Sequence, residues 1–172
     1  MRLDFKKREI FDLKMDAAEF AAALELHCNW FTAVPDSVFK GVFPKLSNLY
    51  FATRENHAVA MAFGARLGGL TPVVLMQNSG LGLCLDALLG TFKLYNQGLL
   101  LIVSNRGVLE WEEIQHQEWG RVTAPLLSAM GIVSISFDKE GWNGLRRAIE
   151  LVKNGNIVVL LVERGNINEE TN

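Results

Sequence analysis

Two kinds of stretch alternate along the chain. Short continuous apolar runs, "NWFTAV", "NLYFAT", "PVVLMQN", "LLLIVS", "IVSISF" and "IVVLLVE", are separated by segments whose apolar residues recur every three or four positions. Unbroken runs rich in Val, Ile and Leu are the mark of strands covered on both faces. The periodic segments predict helices over 55–68, 81–92, 121–130 and 142–153. An earlier helix opens at "MDAAEFAAALELHC", where Asp16 and Glu19 have the capping-box spacing and Phe20 and Leu24 share a face. Pro35 ends the first strand, and "DSVFKGVF" reads as a brief helix capped by Asp36 or Ser37. Strand and helix in alternation predict an α/β three-layer architecture, α/β/α, with a parallel six-stranded sheet. Residues 1–15 are expected to form a loosely held arm, 106–119 a polar excursion, and "NINEETN" a polar tail.

Length and composition narrow the function classes. A chain of 172 residues, 49% hydrophobic, is enough for one domain with a real core and too little for two. The net charge of -2 comes from interspersed acids and bases with no basic stripe, which argues against nucleic acid as a partner. The apolar runs are too short to span a membrane. The charged N-terminus "MRLDFKKREIFDLKMD" does not resemble a secretory signal, so the expected location is cytoplasmic. Cys28 and Cys84 lack paired spacing and read as reduced packing thiols; His27, His57 and His116 lack metal-ligand spacing, so no metal is expected on this chain.

In an open parallel sheet, ligands bind beyond the carboxyl ends of the strands. The residues there are Pro35-Asp36-Ser37, Arg54-Glu55-Asn56, Asn78-Ser79-Gly80-Leu81-Gly82, Asn105-Arg106-Gly107 and Asp138. "QNSGLG" sets two glycines and a serine at a helix start, where free N–H groups attract an anion or polar heterocycle. It reads equally as a tight turn needing positive φ at Gly80. It has neither the Walker A sequence nor the dinucleotide glycine spacing. Glu55 opens a helix that is apolar around nearly its whole circumference, which implies burial on more than one side. It is either a capping-turn acid or an acid placed in apolar surroundings for proton transfer.

"ENHAVAMAFG" fits the pattern of an acid, four residues, a small and an apolar residue, two more and a glycine (Glu55, Ala60, Met61, Gly64), which resembles the pyrimidine-binding domain of thiamine-diphosphate enzymes. "FTAVPDSVFK", "TRENHAVAMAFGARLGG", "VVLMQNSGLG", "SNRG" and "QHQEWGRVTAPLLSAMGI" look more narrowly like the phosphonopyruvate/sulfopyruvate decarboxylase group, in particular its separate α subunits. The resemblance runs over residues 30–162.

The resemblance implies a single pyrimidine-binding domain over 1–172 and a carboxy-lyase that converts sulfopyruvate or phosphonopyruvate to the aldehyde and CO2. It implies thiamine diphosphate as cofactor, with Glu55 hydrogen-bonded to the aminopyrimidine to promote ionisation of the thiazolium carbon. Asn78, Ser79, Gly80, Leu81 and Gly82 would line the pyrimidine pocket, and the apolar helix would face the partner domain. Gln115 and His116 match a "QH" pair implied to reach the active site, with His116 as proton donor or substrate orienter, although a histidine in a loop is commonly nothing more. Arg106 would hold the second anionic group of the substrate, or be a surface Arg beside a turn glycine. Asp36 and Ser37 would contact substrate, unless Asp36 only caps the next helix. No G-D-G motif occurs, so Mg2+ and the diphosphate are expected to belong to a β subunit carrying the diphosphate-binding domain, and self-association is also expected. Two stretches depart from the group: His57, where Asn or an acid is commoner, and "LCLDALLG", with Leu83–Leu85 where polar residues are usual. Another thiamine-diphosphate lyase subunit, or a non-catalytic scaffold of the same fold, are the competing readings.

Overall fold

The structure is a computed structural model and describes residues 15–168. Six parallel strands form one sheet in the order β2-β1-β3-β4-β6-β5. They are β1 (Trp30–Ala33), β2 (Leu49–Phe51), β3 (Pro72–Gln77), β4 (Leu99–Ser104), β5 (Val133–Ser136) and β6 (Ile157–Val162). Every residue of β4 and β6 is buried, as their unbroken apolar runs require. The edge strands β2 and β5 are partly open on their outer sides, so coverage on both faces holds for the centre of the sheet and fails at its margins.

Alternate side chains feed two separate cores. Val73, Leu75, Leu100, Ile102, Val158 and Leu160 pack on one face against α1 (Ala17–Glu25) and α5 (Phe137–Lys153). Val74, Met76, Leu101, Val103 and Val159 pack on the other against α2 (Glu55–Leu67), α3 (Leu81–Ala87, extended by a π-helical turn Leu88–Lys93) and α4 (Ile114–Ala129). The three-layer α/β/α arrangement expected from the alternation is therefore present. Asp16 caps α1 as its spacing indicates, with Oδ1 accepting from Ala18 N at 2.7 Å and Glu19 N at 3.2 Å.

Several boundaries differ from the sequence reading. The polar excursion stops early: α4 begins at Ile114, so Gln115 and His116 stand in its first turn and not in a loop. Pro125, inside α4, and the charged residues before it conceal the helical period. Helix α5 starts at Phe137, earlier than Trp142, and kinks at Gly141 with φ 52° and ψ -135°. The start of "NINEETN" is not a solvated tail: Asn166 and Ile167 are buried, and Met15 bridges Ile167 through hydrogen bonds of Met15 N to Asn166 O and Asn168 N to Met15 O. The rest of that tail, and residues 1–14 of the expected arm, lie outside the described residues. Cys28 and Cys84 are buried free thiols, and burial pushes their pKa values up to about 11 and about 12. Among the described residues no helix is long and apolar enough to cross a membrane.

Helix α2 departs from expectation most usefully. Only Ala58, Val59 and Ala62 are buried within this chain. Asn56, Ala60, Gly64 and Leu67, spaced at three and four residues, form a bare face of small and apolar groups. Leu83, Leu89, Gly90, Leu94 and Tyr95 extend that exposed apolar surface along α3 and its π-helical turn.

Candidate active site

β1 connects to β2 on one side and is flanked by β3 on the other, so the strand order reverses between β1 and β3. That reversal opens a crevice at their carboxyl ends. The segments after β1, β2 and β3 converge on it, carrying Asp36, Glu55 and Asn78–Gly80.

Glu55 is the first residue of α2 and is half-buried, its side chain lying directly against the backbone of Gly80. A Cβ built at Gly80 would sit 2.7 Å from Glu55 Oε1 and overlap Glu55 Cγ. Gly80 has φ -71° and ψ -20°, a conformation any residue adopts, so the positive-φ explanation for this glycine is wrong. The glycine is there for space. Among the described residues, none hydrogen-bonds or ion-pairs with the Glu55 carboxylate. Its charge is felt nearby, where it adds to burial in raising the Cys84 thiol.

The other residues of this turn divide by role. Asn78 is wholly buried; its Nδ2 donates to Arg106 O at 2.9 Å and to Thr123 Oγ1 at 3.0 Å, while its Oδ1 has no hydrogen-bond partner among the described residues. It ties the β3 turn to the β4 turn and to α4. Gln77 Nε2 donates to Ser79 Oγ at 2.9 Å and lies 3.5 Å from His116 Nδ1, which brings His116 to the mouth of the same crevice. The ring of Trp119, one turn on in α4, lies against Gly82. Leu81 is a core residue. Asp36 Oδ1 accepts from Val38 N at 2.9 Å and so caps the short turn Ser37–Phe39, and Ser37 is exposed. Gln115 is exposed beside His116.

Arg106 is not a surface residue. Its side chain is 7% exposed, and Nε lies 3.4 Å from Oε1 of Glu112, whose side chain is fully buried. Glu112 Oε2 also accepts from Gly107 N at 2.6 Å and Leu109 N at 3.4 Å, folding residues 106–113 into a compact turn. Gly107, at φ +81°, is the position that needs glycine for its backbone: a Cβ there would overlap the carbonyl of His116 and come 2.9 Å from Gln117 Cα. The turn is thereby clamped to the first turn of α4, and His116 is fixed in place. Next to it, Glu113 Oε2 lies 3.7 Å from His116 Nε2 and 4.0 Å from Arg106 Nη2, and Glu113 Oε1 lies 3.6 Å from Arg164 Nη1. The Arg164 guanidinium stacks over Trp111 at 5.3 Å. Glu112, Glu113, Trp111 and Arg164 were not singled out from sequence. The charge density of "EWEE" and the arginine two residues past β6 were the available signals.

No family model matches the chain. Over 126 residues it is 35% identical to sulfopyruvate decarboxylase subunit alpha of Methanococcus maripaludis, a match covering 69% of this chain and 75% of that protein. The chain belongs to the sulfopyruvate decarboxylase α-subunit family. A second member, from Methanothermobacter thermautotrophicus, is 40% identical over 81 residues, 46% of this chain and 48% of that protein. The family's fold extends to larger enzymes. A putative thiamin diphosphate-dependent enzyme from Mycobacterium smegmatis matches with TM-score 0.69 at 14% identity, covering 89% of this chain and 31% of that one. Benzoylformate decarboxylase from Polynucleobacter necessarius matches with TM-score 0.65 at 18% identity, covering 87% and 30%. The α-subunit fold thus corresponds to under a third of each of these longer polypeptides.

Proposed function

We propose that this chain is the cofactor-activating α subunit of a two-chain, thiamine-diphosphate-dependent decarboxylase that converts 3-sulfopyruvate to the corresponding aldehyde and CO2. The observation that carries the reading is the Glu55–Gly80 contact: an acid whose carboxylate no described residue engages, given room by a glycine whose backbone geometry does not require one. These residues fit one end of the cofactor. Glu55 would engage the aminopyrimidine ring, and the backbone of residues 78–82 would line it. Bound there, thiamine diphosphate supplies the electron sink for the pair left when CO2 departs.

This chain's own contribution is proton handling and positioning. Glu55 holds or releases the proton at the pyrimidine nitrogen. His116, anchored by the Gly107 clamp and neighbouring Gln77, orients the substrate or donates the proton that completes the aldehyde. Arg106 contributes positive charge toward the sulfonate, and Asp36, Ser37 and Gln115 border the substrate at the crevice mouth. Among the described residues no three His, Cys, Asp or Glu side chains are grouped to hold a metal. The Mg2+ and diphosphate site is assigned to a β subunit, docked on the bare face of α2 and α3. The relatives' designation as subunit alpha supports a partner of this kind, and the exposed apolar surface gives it a place to bind. The exposed Leu83 makes sense as a subunit contact. The substrate is assigned to sulfopyruvate over phosphonopyruvate, following the relatives' names.

The test is reconstitution with the β subunit from the same source. Glu55→Gln should slow sulfopyruvate decarboxylation by about 10²- to 10³-fold while the complex still assembles. Turnover near that of the unmodified complex overturns the proposal.

A further inference from the structure

The carboxylate of Glu113 sits among three nitrogens, Arg106 Nη2, His116 Nε2 and Arg164 Nη1, at 4.0, 3.7 and 3.6 Å, and a His116 carrying its proton on Nε2 makes all three donors. All three distances exceed hydrogen-bond length, so the carboxylate is held by charge and not by fitted bonds. A planar carboxylate has two oxygens to offer three donors. The donors are prepared all the same. Arg106 is buried; among the described residues its Nε and Nη1 have no hydrogen-bond partner, Nε lying 3.4 Å from Glu112 Oε1, and its Nη2 lies 4.0 Å from Glu113 Oε2. Arg164 is braced on the Trp111 ring. Glu113 itself is 52% exposed, occupies the N-cap position of α4 and makes no side-chain capping bond there, so little holds it in place. Its carboxyl pKa is lowered, first by its own backbone N–H and then by Arg164, Arg106 and His116.

We propose that Arg106, His116 and Arg164 form the seat for the substrate's sulfonate, and that Glu113 fills this seat until a sulfonate displaces it. The inference rests on the sulfopyruvate reading and adds Arg164 and Glu113 to it. A sulfonate has three oxygens in a tetrahedral array, one for each donor. The helix N-terminus behind the seat adds a favourable dipole for any anion there.

Two measurements test this, one of them independent of turnover. In the first, ethanesulfonate is titrated into the chain and binding is followed by NMR. Glu113→Gln should tighten binding about three- to fivefold by removing the competing charge. Arg164→Ala should weaken it by about tenfold. In the second, the reconstituted complex is assayed with sulfopyruvate and pyruvate, and the same variants should shift KM for sulfopyruvate down and up respectively, each by more than the KM for pyruvate. Unchanged or weaker ethanesulfonate binding by Glu113→Gln overturns the seat, as do equal KM shifts for both substrates. Because Glu113 is half exposed, its replacement leaves the fold intact, and a negative result cannot be attributed to misfolding. If ethanesulfonate tightens as expected but sulfopyruvate is not turned over, the seat stands and the decarboxylase reading falls. If sulfopyruvate is turned over with no effect of either variant, the reverse holds.

Discussion

The carboxyl edge of the sheet has two ends that treat charge in opposite ways. At the β1–β3 end, Glu55 offers a carboxylate that no described residue engages, beside a bare helical face. At the β4–β6 end, Arg106, Glu112, Glu113, His116 and Arg164 of opposite charge are drawn together in a single cluster. A folded chain rarely leaves an acid unanswered next to an apolar surface unless something else answers it. The paired cluster has a different logic, since an anion seated there would displace a charge already present. On the proposals above, the first end is completed by a partner and a cofactor, and the second is vacated for a competitor.

The sharpest way to break this contrast is to unbalance the second end. Glu112→Ala strands the buried Arg106 and leaves Gly107 N and Leu109 N without their acceptor. Removing one member of a buried ion pair costs about 3–5 kcal/mol. The chain's thermal midpoint should fall by about 10 °C, read by calorimetry. Glu112→Gln, which keeps an acceptor for Gly107, should fall less. A midpoint within 2–3 °C of the unmodified chain, roughly 1 kcal/mol, would show that the cluster is not holding the 106–113 turn.

Gly80→Ala tests the first end. Its backbone tolerates alanine, and the atoms nearest the new methyl group belong to the Glu55 side chain, which can swing away, so the fold should survive with its thermal midpoint almost unmoved. The carboxylate must shift, and decarboxylation by the reconstituted complex should drop by about 100-fold, or about 2.7 kcal/mol of barrier. Full activity in Gly80→Ala would mean that the position of Glu55 is unimportant and would remove the observation on which the proposed function rests.

The first end was legible from sequence and the second was not, for physical reasons. Glu55 announces itself by its setting, one acid before a run of small and apolar residues, and Gly80 by lying in "QNSGLG". What a single sequence could not supply was their contact, which depends on β1 lying between β2 and β3. Strand order is a long-range property that local periodicity does not encode. At the second end the failure was local. "EWEEIQHQEWGR" has polar residues at nearly every position, so its helical period is masked, and α4 was placed seven residues late. The partners of Arg106 were then invisible, because Glu112 lies six residues on through a turn closed by positive φ at Gly107, and Arg164 arrives from β6. Arg106 itself was found for its chemistry, while its burial was missed. Helix α2 was read as apolar nearly all round and so buried on more than one side, whereas within this chain the side carrying Asn56, Ala60, Gly64 and Leu67 has no cover.

The smallest effect tests how far the balance of the second end reaches. Glu163, just after β6, is half-buried. Desolvation, then the charge of Asp138, raises its carboxyl pKa, against a pull from Lys139, with Glu112 raising it further. Its own N–H donates to Asn166 Oδ1, and Asn166 Nδ2 donates to Asp138 Oδ1 at 3.2 Å, so the backbone keeps it close to that second acid. An acid whose folded pKa lies above its unfolded value of about 4.3 binds its proton more tightly in the fold. Its contribution to stability is therefore full below the unfolded value and is lost as pH climbs through the folded one. Glu163→Gln removes that penalty, so it should raise the thermal midpoint at pH 7 by about 1–2 °C, with the gain gone at pH 4. An equal gain at both pH values would trace the effect to packing instead. A loss at pH 7 would mean that Glu163 is answered by a cation, and that the charge balance of this end extends past the five residues that define it.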